Sequence, residues 1–275
     1  MKNSILEIRD LSVFFREKNG LKITAVDSLS LSIERGSFVS LVGESGSGKT
    51  VTAMSVCGLL SAAEIRGDIR YLRPNLLERD LLKISVKELA GIRGRRIAYI
   101  FQDPGSSLNP VMKVGEQIQE ARQAHFKADS DSAKKKTMDF LASVRIKDAR
   151  RVYESFPHEL SGGMKQRAMI AMALIMEPEL LIADEPTTAL DPDTALEIME
   201  LLIAAQKKRG LSILFITHHI AFAARFSDSL IVMKSGRIVE NLNKAGNNFA
   251  PKEEYTRKLF RADLKGLAPK TRIEV

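Results

Sequence analysis

Residues 43–50, with the sequence GESGSGKT, are the part of this chain that most directly indicates chemistry. They match the pattern G-x-x-x-x-G-K-[ST], in which backbone N–H groups surround a phosphate chain while a lysine and a hydroxyl reach the phosphates and their metal ion. The pattern therefore predicts a nucleoside triphosphate site rather than a glycine-rich turn with a chance lysine. The predicted nucleotide contacts in this loop are Gly43, Glu44, Ser45, Gly46, Ser47, Gly48, Lys49 and Thr50.

Residues 180–185 (LLIADE) form an apolar run that ends in two acids. Such a run predicts a buried strand that delivers carboxylates to the edge of a sheet. Asp184 is placed to hold Mg²⁺ through water, and Glu185 to polarise or deprotonate an attacking water. Acids at strand ends also cap turns and helices, so the upstream phosphate loop is what favours the catalytic interpretation.

Residues 160–167 (LSGGMKQR) place a serine and two glycines immediately before an apolar helical segment. Free backbone amides and the helix dipole at such a position suit an incoming phosphate. With these motifs in this order, the chain resembles the ATP-binding cassette (ABC) ATPases over nearly its whole length, and residues 160–167 look like the signature of that family.

The resemblance implies ATP and Mg²⁺ as ligands and a site that two cassettes complete head to tail. It implies these roles: Lys49 binds phosphate; Thr50 and Gln102 reach the metal; Ser161, Gly162 and Gly163 contact the γ-phosphate held by the opposite subunit; Asp191 crosses the dimer interface; His218 contacts the γ-phosphate; and Phe15 stacks on adenine. Gln102 also joins the catalytic core to a helical insert. The implied catalytic set is Glu185, His218 and Gln102, and the metal set is Thr50, Gln102 and Asp184.

Two of these assignments have neighbouring rivals. Phe14 competes with Phe15 for the adenine position. His219 stands where the family usually has an aspartate after the catalytic histidine, and His218 is chosen because it directly follows Thr217. A histidine at a strand end is also often an ordinary surface group, the interpretation given to His125 and His158.

Residues 101–110 (FQDPGSSLNP), 114–118 (VGEQI) and 183–191 (ADEPTTALD) resemble the ATPase subunits of dipeptide, oligopeptide and nickel importers. Residues 254–259 (EYTRKL) resemble a C-terminal Pro-Tyr-Thr segment of those subunits, with Glu254 in place of the proline. The resemblance to this subfamily leaves the solute open.

Hydrophobic periodicity and the resemblance together predict an α/β fold, an ABC-type P-loop NTPase core with a mostly parallel sheet, an N-terminal antiparallel β subdomain and an α-helical insert. The predicted domains are an ATPase domain at 1–240, with the insert at about 105–160, and a tail at 241–275 with one short helix. Predicted strands are 4–13, 21–33, 37–42, 96–101, 180–183 and 212–217, with a hairpin at 230–240. Predicted helices are 50–60, 111–124, 132–144, 165–176, 194–209 and 252–264, with an irregular stretch at 64–94 and a loop at 127–136.

Composition limits the classes of protein. The longest apolar stretch, residues 168–183, is broken by charges and a proline, so no membrane-spanning helix is expected. Charges at residues 7, 9 and 10 replace the apolar region of a signal peptide, which predicts a cytosolic chain. A single cysteine, Cys57, excludes an internal disulfide and a cysteine-based zinc cluster. The net charge of +8 is compatible with anionic partners but is not concentrated in one basic run.

The leading hypothesis is a transport ATPase on the cytoplasmic side of the cell membrane, peripheral to it, that powers import of peptides or nickel-type metal complexes. Its expected partners are integral membrane permease subunits, a second identical or related ABC ATPase subunit and, indirectly, an extracytoplasmic solute-binding protein, without nucleic acid. The alternative is a soluble ABC ATPase acting on nucleic acid or the ribosome. A cassette that binds ATP without hydrolysis is a third hypothesis, which Glu185, His218 and Ser161 oppose.

Overall fold

The structure, a computed structural model, describes residues 3–73, 79–126, 130–246 and 248–266. Its chain divides into one unit of residues 1–89 and 212–275 and another of residues 90–211. The described strands are β1 (Ser4–Arg16), β2 (Lys22–Glu34), β3 (Phe38–Val42), β4 (Ala63–Tyr71), β5 (Arg79–Asp80), β6 (Ile97–Ile100), β7 (Leu180–Asp184), β8 (Ser212–Thr217), β9 (Ser229–Lys234) and β10 (Arg237–Asn243). The described α-helices are α1 (Lys49–Val56), α2 (Val86–Ile92), α3 (Pro104–Ser107), α4 (Val114–Gln123), α5 (Ser130–Ser143), α6 (Ala149–Glu154), α7 (Gly162–Leu174), α8 (Pro192–Arg209), α9 (Ile220–Phe226) and α10 (Glu254–Gly266).

The first unit contains an antiparallel sheet with the strand order β2-β1-β4-β5. Strands β1 and β2 pair from Ser4↔Glu34 to Arg16↔Lys22, as the alternating pattern predicted. Apolar side chains at alternate positions, such as Leu11 and Val13, are fully buried. The sheet therefore has one face against the interior and one polar face.

Strand β4 corrects the prediction of an irregular stretch at 64–94. It pairs antiparallel with β1, and Ile69 and Tyr71 are buried while Arg66 is exposed. The alternation of charged and apolar residues was present in the sequence, but the pairing partner lies about 60 residues away in the chain, which local composition does not reveal. Residues 74–78, including the proline expected to interrupt this stretch, lie outside the described residues.

The second sheet of this unit has the strand order β10-β9-β3-β8. Strand β3 is parallel to both β8 and β9, and every residue of β3 and β8 is buried. The predicted strand at 212–217 and the hairpin at 230–240 are confirmed. Helix α1 follows β3 as expected but ends at Val56, before Gly58 with a φ of +58°.

In the second unit, β6 and β7 pair in parallel from Ile97↔Leu180 to Ile100↔Ala183. Helices α3 to α6 lie in the sequence between β6 and α7. The predicted loop at 127–136 is wrong for residues 130–136, which form the first half of α5, and residues 127–129 lie outside the described residues. The polar face of α5 produced this error, because a solvated helix and a polar loop have similar composition.

The mixed α/β fold with an antiparallel N-terminal sheet, parallel strands and interspersed helices is confirmed. Helix α10 starts two residues later than predicted, and residues 267–275 of the expected tail lie outside the described residues. Across the part of the chain that the structure describes, we find no helix with the length and apolar character needed to cross a bilayer. The domain limits at 1–240 and 241–275 stay a prediction.

Candidate functional site

The phosphate loop lies between β3 and α1, and its backbone requires glycine at two points. A Cβ on Gly43 would lie 2.2 Å from the carbonyl oxygen of Met233, and one on Gly48 would lie 2.6 Å from the carbonyl oxygen of Ala25. Both residues also have positive φ, +154° and +101°. At both points another backbone segment therefore packs where a side chain would otherwise lie.

Lys49 begins α1 and folds over this loop. Its Nζ donates to the carbonyl oxygens of Gly43 and Glu44, each at 2.8 Å, and to Ser47 Oγ at 3.3 Å. The lysine is only 5% exposed, whereas Glu44, Ser45, Gly46 and Thr50 are exposed. A buried ammonium group and the N-terminus of α1 thus give this loop the positive character that suits phosphate.

Phe14 and Phe15 occupy adjacent positions near the end of β1 and are both half-buried. The ring of Phe14 is covered by Lys22 Nζ at 3.7 Å and by the Arg66 guanidinium at 5.5 Å from its centroid. Glu64 accepts hydrogen bonds from both of these cations. Because these two cations already cover the ring of Phe14, Phe15 remains our choice for an adenine contact.

The two histidines follow β8 and have different surroundings. Their rings are 4.1 Å apart, and His219 Nδ1 lies 3.3 Å from Asp263 Oδ1 on α10. His219 is the more exposed residue, whereas His218 is half-buried. Holding His219 towards α10 favours His218 as the histidine directed to another ligand.

In the second unit, β7 ends at Asp184, which is 3% exposed. The hydroxyl of Tyr99, on the neighbouring strand β6, donates to Asp184 Oδ2 at 2.8 Å. The sequence predicted both strands but not this contact. A tyrosine near the carboxyl end of a strand that neighbours an acidic strand end is the signal that could have found it.

Glu185 follows directly and has a φ of +46°, an unusual conformation for a glutamate. Its Oε2 accepts hydrogen bonds from Gln102 Nε2 at 3.2 Å and from Thr188 Oγ1 at 2.9 Å. Gln102 and Glu185, two residues of the predicted catalytic set, are thus in contact. Thr188 was not predicted, and it fixes the carboxylate from the turn after β7.

Ser161 and Asp191 are the N-cap residues of α7 and α8. Ser161 Oγ accepts from the N–H of Met164 at 3.4 Å, and Asp191 Oδ1 accepts from the N–H of Thr194 at 3.0 Å. That backbone bond lowers the pKa of Asp191 and keeps it ionised. A Cβ on Gly163 would lie 3.0 Å from Thr194 Cγ2, so the two helix starts are close together. Gly162, by contrast, faces open space.

The site residues therefore fall into two groups, one in each unit. The phosphate loop, the aromatic pair and the histidines belong to the first unit, while the Gln102–Glu185 and Tyr99–Asp184 pairs and the two helix caps belong to the second. Within the second unit, the contacts bring Gln102 to Glu185 and Gly163 to the helix that Asp191 caps.

Comparisons with known proteins identify the family of the chain. The family model described as ABC transporter matches residues 26–188. The probable peptide ABC transporter ATP-binding protein y4tR of Sinorhizobium fredii is 42% identical over 259 residues, covering 93% of this chain and 76% of that protein. The oligopeptide transport ATP-binding protein OppD of Bacillus subtilis is 41% identical over 255 residues, covering 92% of this chain and 70% of that protein. A solved dimeric ATP-binding cassette in a post-hydrolysis state with ADP and Pi is 27% identical, with a TM-score of 0.76 over 88% of this chain and 99% of that one.

Proposed function

This chain belongs to the ABC transporter family, and we propose that it powers uptake of peptides, or of nickel-type metal complexes, through a separate membrane permease. Membership of the family makes it an ATP-binding and ATP-hydrolysing subunit. The names of the relatives support peptides over metal complexes, since those at 42% and 41% identity are described as peptide and oligopeptide transport proteins. We place the ATPase domain at 1–240, with the insert at about 105–160 facing the permease.

The observation that carries the catalytic assignment is the contact between Gln102 and Glu185. The carboxylate of Glu185 is held at one oxygen by both Gln102 and Thr188, which fixes its direction without neutralising it. A carboxylate fixed in this way can orient a water and accept its proton. We therefore assign Glu185 as the general base.

Nucleotide binding falls to the first unit in this proposal. Lys49 and the loop amides meet the phosphates, Phe15 stacks on the adenine, and His218 contacts the γ-phosphate. These groups fit a triphosphate because the loop offers backbone N–H groups, a buried ammonium group and a helix N-terminus together. Phosphoryl transfer needs positioning and charge neutralisation more than covalent chemistry, and these residues supply both.

The residues assigned to Mg²⁺ have the donor atoms that this ion prefers. Thr50 offers a hydroxyl, Asp184 a carboxylate and Gln102 an amide oxygen, all hard oxygen ligands. Gln102 donates to Glu185 through Nε2, so its Oε1 is the atom to face a cation. When bound, the ion would neutralise charge on the phosphate oxygens.

The signature acts across a dimer in this proposal. Ser161, Gly162 and Gly163 would present the start of α7 to the γ-phosphate held by a second cassette, and Asp191 would lie at the same interface. Their common location at adjoining helix starts supports this role. The proposed working assembly is two cassettes, identical or related, on the cytoplasmic side of integral membrane permease subunits, with an extracytoplasmic solute-binding protein as an indirect partner.

The function is tested by ATP-driven uptake in vesicles that contain this chain, a second cassette and candidate permease subunits. We expect uptake of labelled di- or oligopeptides that stops with Glu185→Gln and with the non-hydrolysable nucleotide. Uptake of a nickel complex alone would move the substrate assignment. ATPase activity that responds to RNA or ribosomes but drives no uptake would overturn the transport proposal.

A further inference from the structure

Helix α10 supplies a carboxylate to the turn that carries the two histidines. Asp263 Oδ2 accepts a hydrogen bond of 2.7 Å from the backbone N–H of Ala221, and Asp263 Oδ1 lies 3.3 Å from His219 Nδ1. The carboxylate side chain is 19% exposed. Asp263, more than 40 residues away in sequence, thus contacts both the His219 side chain and the first turn of α9.

Apolar packing against the elements around the phosphate loop fixes the position of α10. Phe260 is buried, and Leu259 packs against the same apolar cluster. The buried members of this cluster are Val42, Ile220, Ala223, Ala224, Leu230, Val232, Leu242, Phe249 and Phe260. Val42 is the last residue before the phosphate loop, and Ile220 is the first of α9. The helix is therefore seated on the residues that precede both the loop and α9.

Near the N-terminal end of α10, Tyr255 interacts with Glu44 of the phosphate loop. Lys234 Nζ lies 4.5 Å from the centroid of the Tyr255 ring. Burial raises the pKa of Tyr255, and the nearby negative charge of Glu44 raises it further. Contacts at both ends of α10 thus lie beside residues that the nucleotide is proposed to meet.

We propose that Asp263 is a positioning residue for ATP hydrolysis, which fixes His219 and the start of α9 so that His218 is directed at the γ-phosphate. The proposal rests on the role assigned to His218 in the proposed function. Its physical basis is that a carboxylate bonded to both a backbone N–H and a neighbouring imidazole restricts the turn in two directions. A turn restricted in this way keeps His218 in place without any contact between Asp263 and the nucleotide.

The first test replaces the carboxylate with an amide in the full-length chain. We expect Asp263→Asn to lower kcat for ATP hydrolysis about tenfold, the effect of losing charge-assisted bonds to a positioned group. The KM for ATP should stay near the parent value, because Lys49 and the loop are unchanged. Glu254→Gln is the matched control, since it makes the same chemical change on the same helix at an exposed residue paired with Lys258.

A second test places a negative charge at the partner position. His219→Asp places a carboxylate beside Asp263, and we expect the two like charges to lower kcat more than Asp263→Asn does. Adding Asp263→Asn to His219→Asp should restore much of the activity, because an amide can donate to the new carboxylate. Rescue of one defective variant by another also shows that a loss is not simply unfolding.

The outcomes separate this inference from the function on which it rests. Parent kcat in His218→Ala would reject the role of His218 itself. If His218→Ala is inactive while Asp263→Asn matches the parent and Glu254→Gln in kcat and KM, the positioning role of Asp263 is overturned. A double variant no more active than His219→Asp alone would overturn it as well.

Discussion

The hydroxyl of Tyr99 donates a hydrogen bond of 2.8 Å to Oδ2 of Asp184, joining two neighbouring parallel strands at their carboxyl ends. Asp184 is almost fully buried, so this bond restricts the direction of a carboxylate that is proposed to act on Mg²⁺ through water. Groups that hold a metal-binding carboxylate typically affect metal affinity strongly. Tyr99 is therefore expected to influence the metal requirement without contacting the nucleotide.

Replacing Tyr99 with phenylalanine removes this bond and keeps the ring, which packs on Phe101 with centroids 4.7 Å apart. We expect the Mg²⁺ concentration for half-maximal ATPase activity to rise about tenfold, since loss of such an outer partner typically costs 10- to 100-fold. A magnesium titration of ATPase activity measures it. Tyr153→Phe is the matched control, because its hydroxyl bonds Gln119 in the helical region instead. Equal titration curves for the two variants would contradict the assignment.

Replacing Glu185 with glutamine should retain ATP binding and abolish most turnover. The amide keeps the shape of the side chain but cannot accept a proton from water, and loss of a general base costs about 10²- to 10⁴-fold in rate. Phosphate release and calorimetric ATP binding are the two measurements. Glu177→Gln is a suitable control, because Glu177 also has a positive φ, +53°, but pairs with Lys136 outside the site. Turnover near the parent rate would reject Glu185 as the base.

Local patterns predicted the parts of the site that neighbouring residues in the chain determine. Residues 43–50 contain their own glycines and lysine, β7 runs into Asp184, and Ser161 caps α7 from the position before it. Each of these depends on spacing within one segment, so the sequence was sufficient to place them on their elements.

Contacts between distant segments could not be predicted in this way. Tyr99 meets Asp184 from another strand, and Asp263 meets His219 from the last described helix. Strand β4 was missed because its partner β1 begins about 60 residues earlier. Such pairs depend on strand order and helix docking, which the periodicity of a single segment does not encode.

Gly115 should be essential for packing of the helical region rather than for chemistry. A Cβ at this position would lie 2.1 Å from Cδ2 of Tyr153, a buried ring. We expect Gly115→Ala to lower the midpoint of thermal unfolding, because overpacking of a core typically costs about 1–3 kcal/mol. Gly91→Ala is the control, since nothing lies within 4 Å of its added methyl group and alanine favours helix. An unchanged midpoint for Gly115→Ala would show that Tyr153 can move aside at no cost.

Gln102 is expected to link hydrolysis to the permease. It contacts Glu185 and directly precedes Asp103, which caps α3 at the start of the helical region. Replacing Gln102 with alanine should lower ATPase activity and, more strongly, the amount of solute transported per ATP hydrolysed. Reconstituted vesicles give both quantities. Thr188→Val, which removes the hydrogen bond from Thr188 to Glu185, should lower hydrolysis with the transport ratio unchanged. A normal ratio in Gln102→Ala would reject the coupling role.

The signature should act on the partner's nucleotide. Ser161 begins α7 and Lys49 begins α1, and the proposed dimer assigns them to different ATP molecules. In a homodimer, Ser161→Arg would spoil the partner's site by blocking the helix start, whereas Lys49→Ala would spoil the subunit's own. A mixed pair of these two mutants then contains one complete composite site and one that carries both lesions.

ATPase activity across mixing ratios of the two mutants tests this model, with each mutant alone as the baseline. A maximum near equal amounts is expected, because mixed pairs are then most abundant. Lys18→Ala is the control for Lys49→Ala, because it removes an exposed lysine that is distant from the loop in sequence. A pair of Ser161→Arg with Lys18→Ala should therefore carry no lesion in either phosphate loop. If the mixture never exceeds the separate mutants, the shared site does not form between identical chains. Adding a related cassette subunit to Ser161→Arg then decides between the remaining arrangements. Activity restored at only one of the two sites would show that the signature acts within a heterodimer. No restoration would reject action in trans.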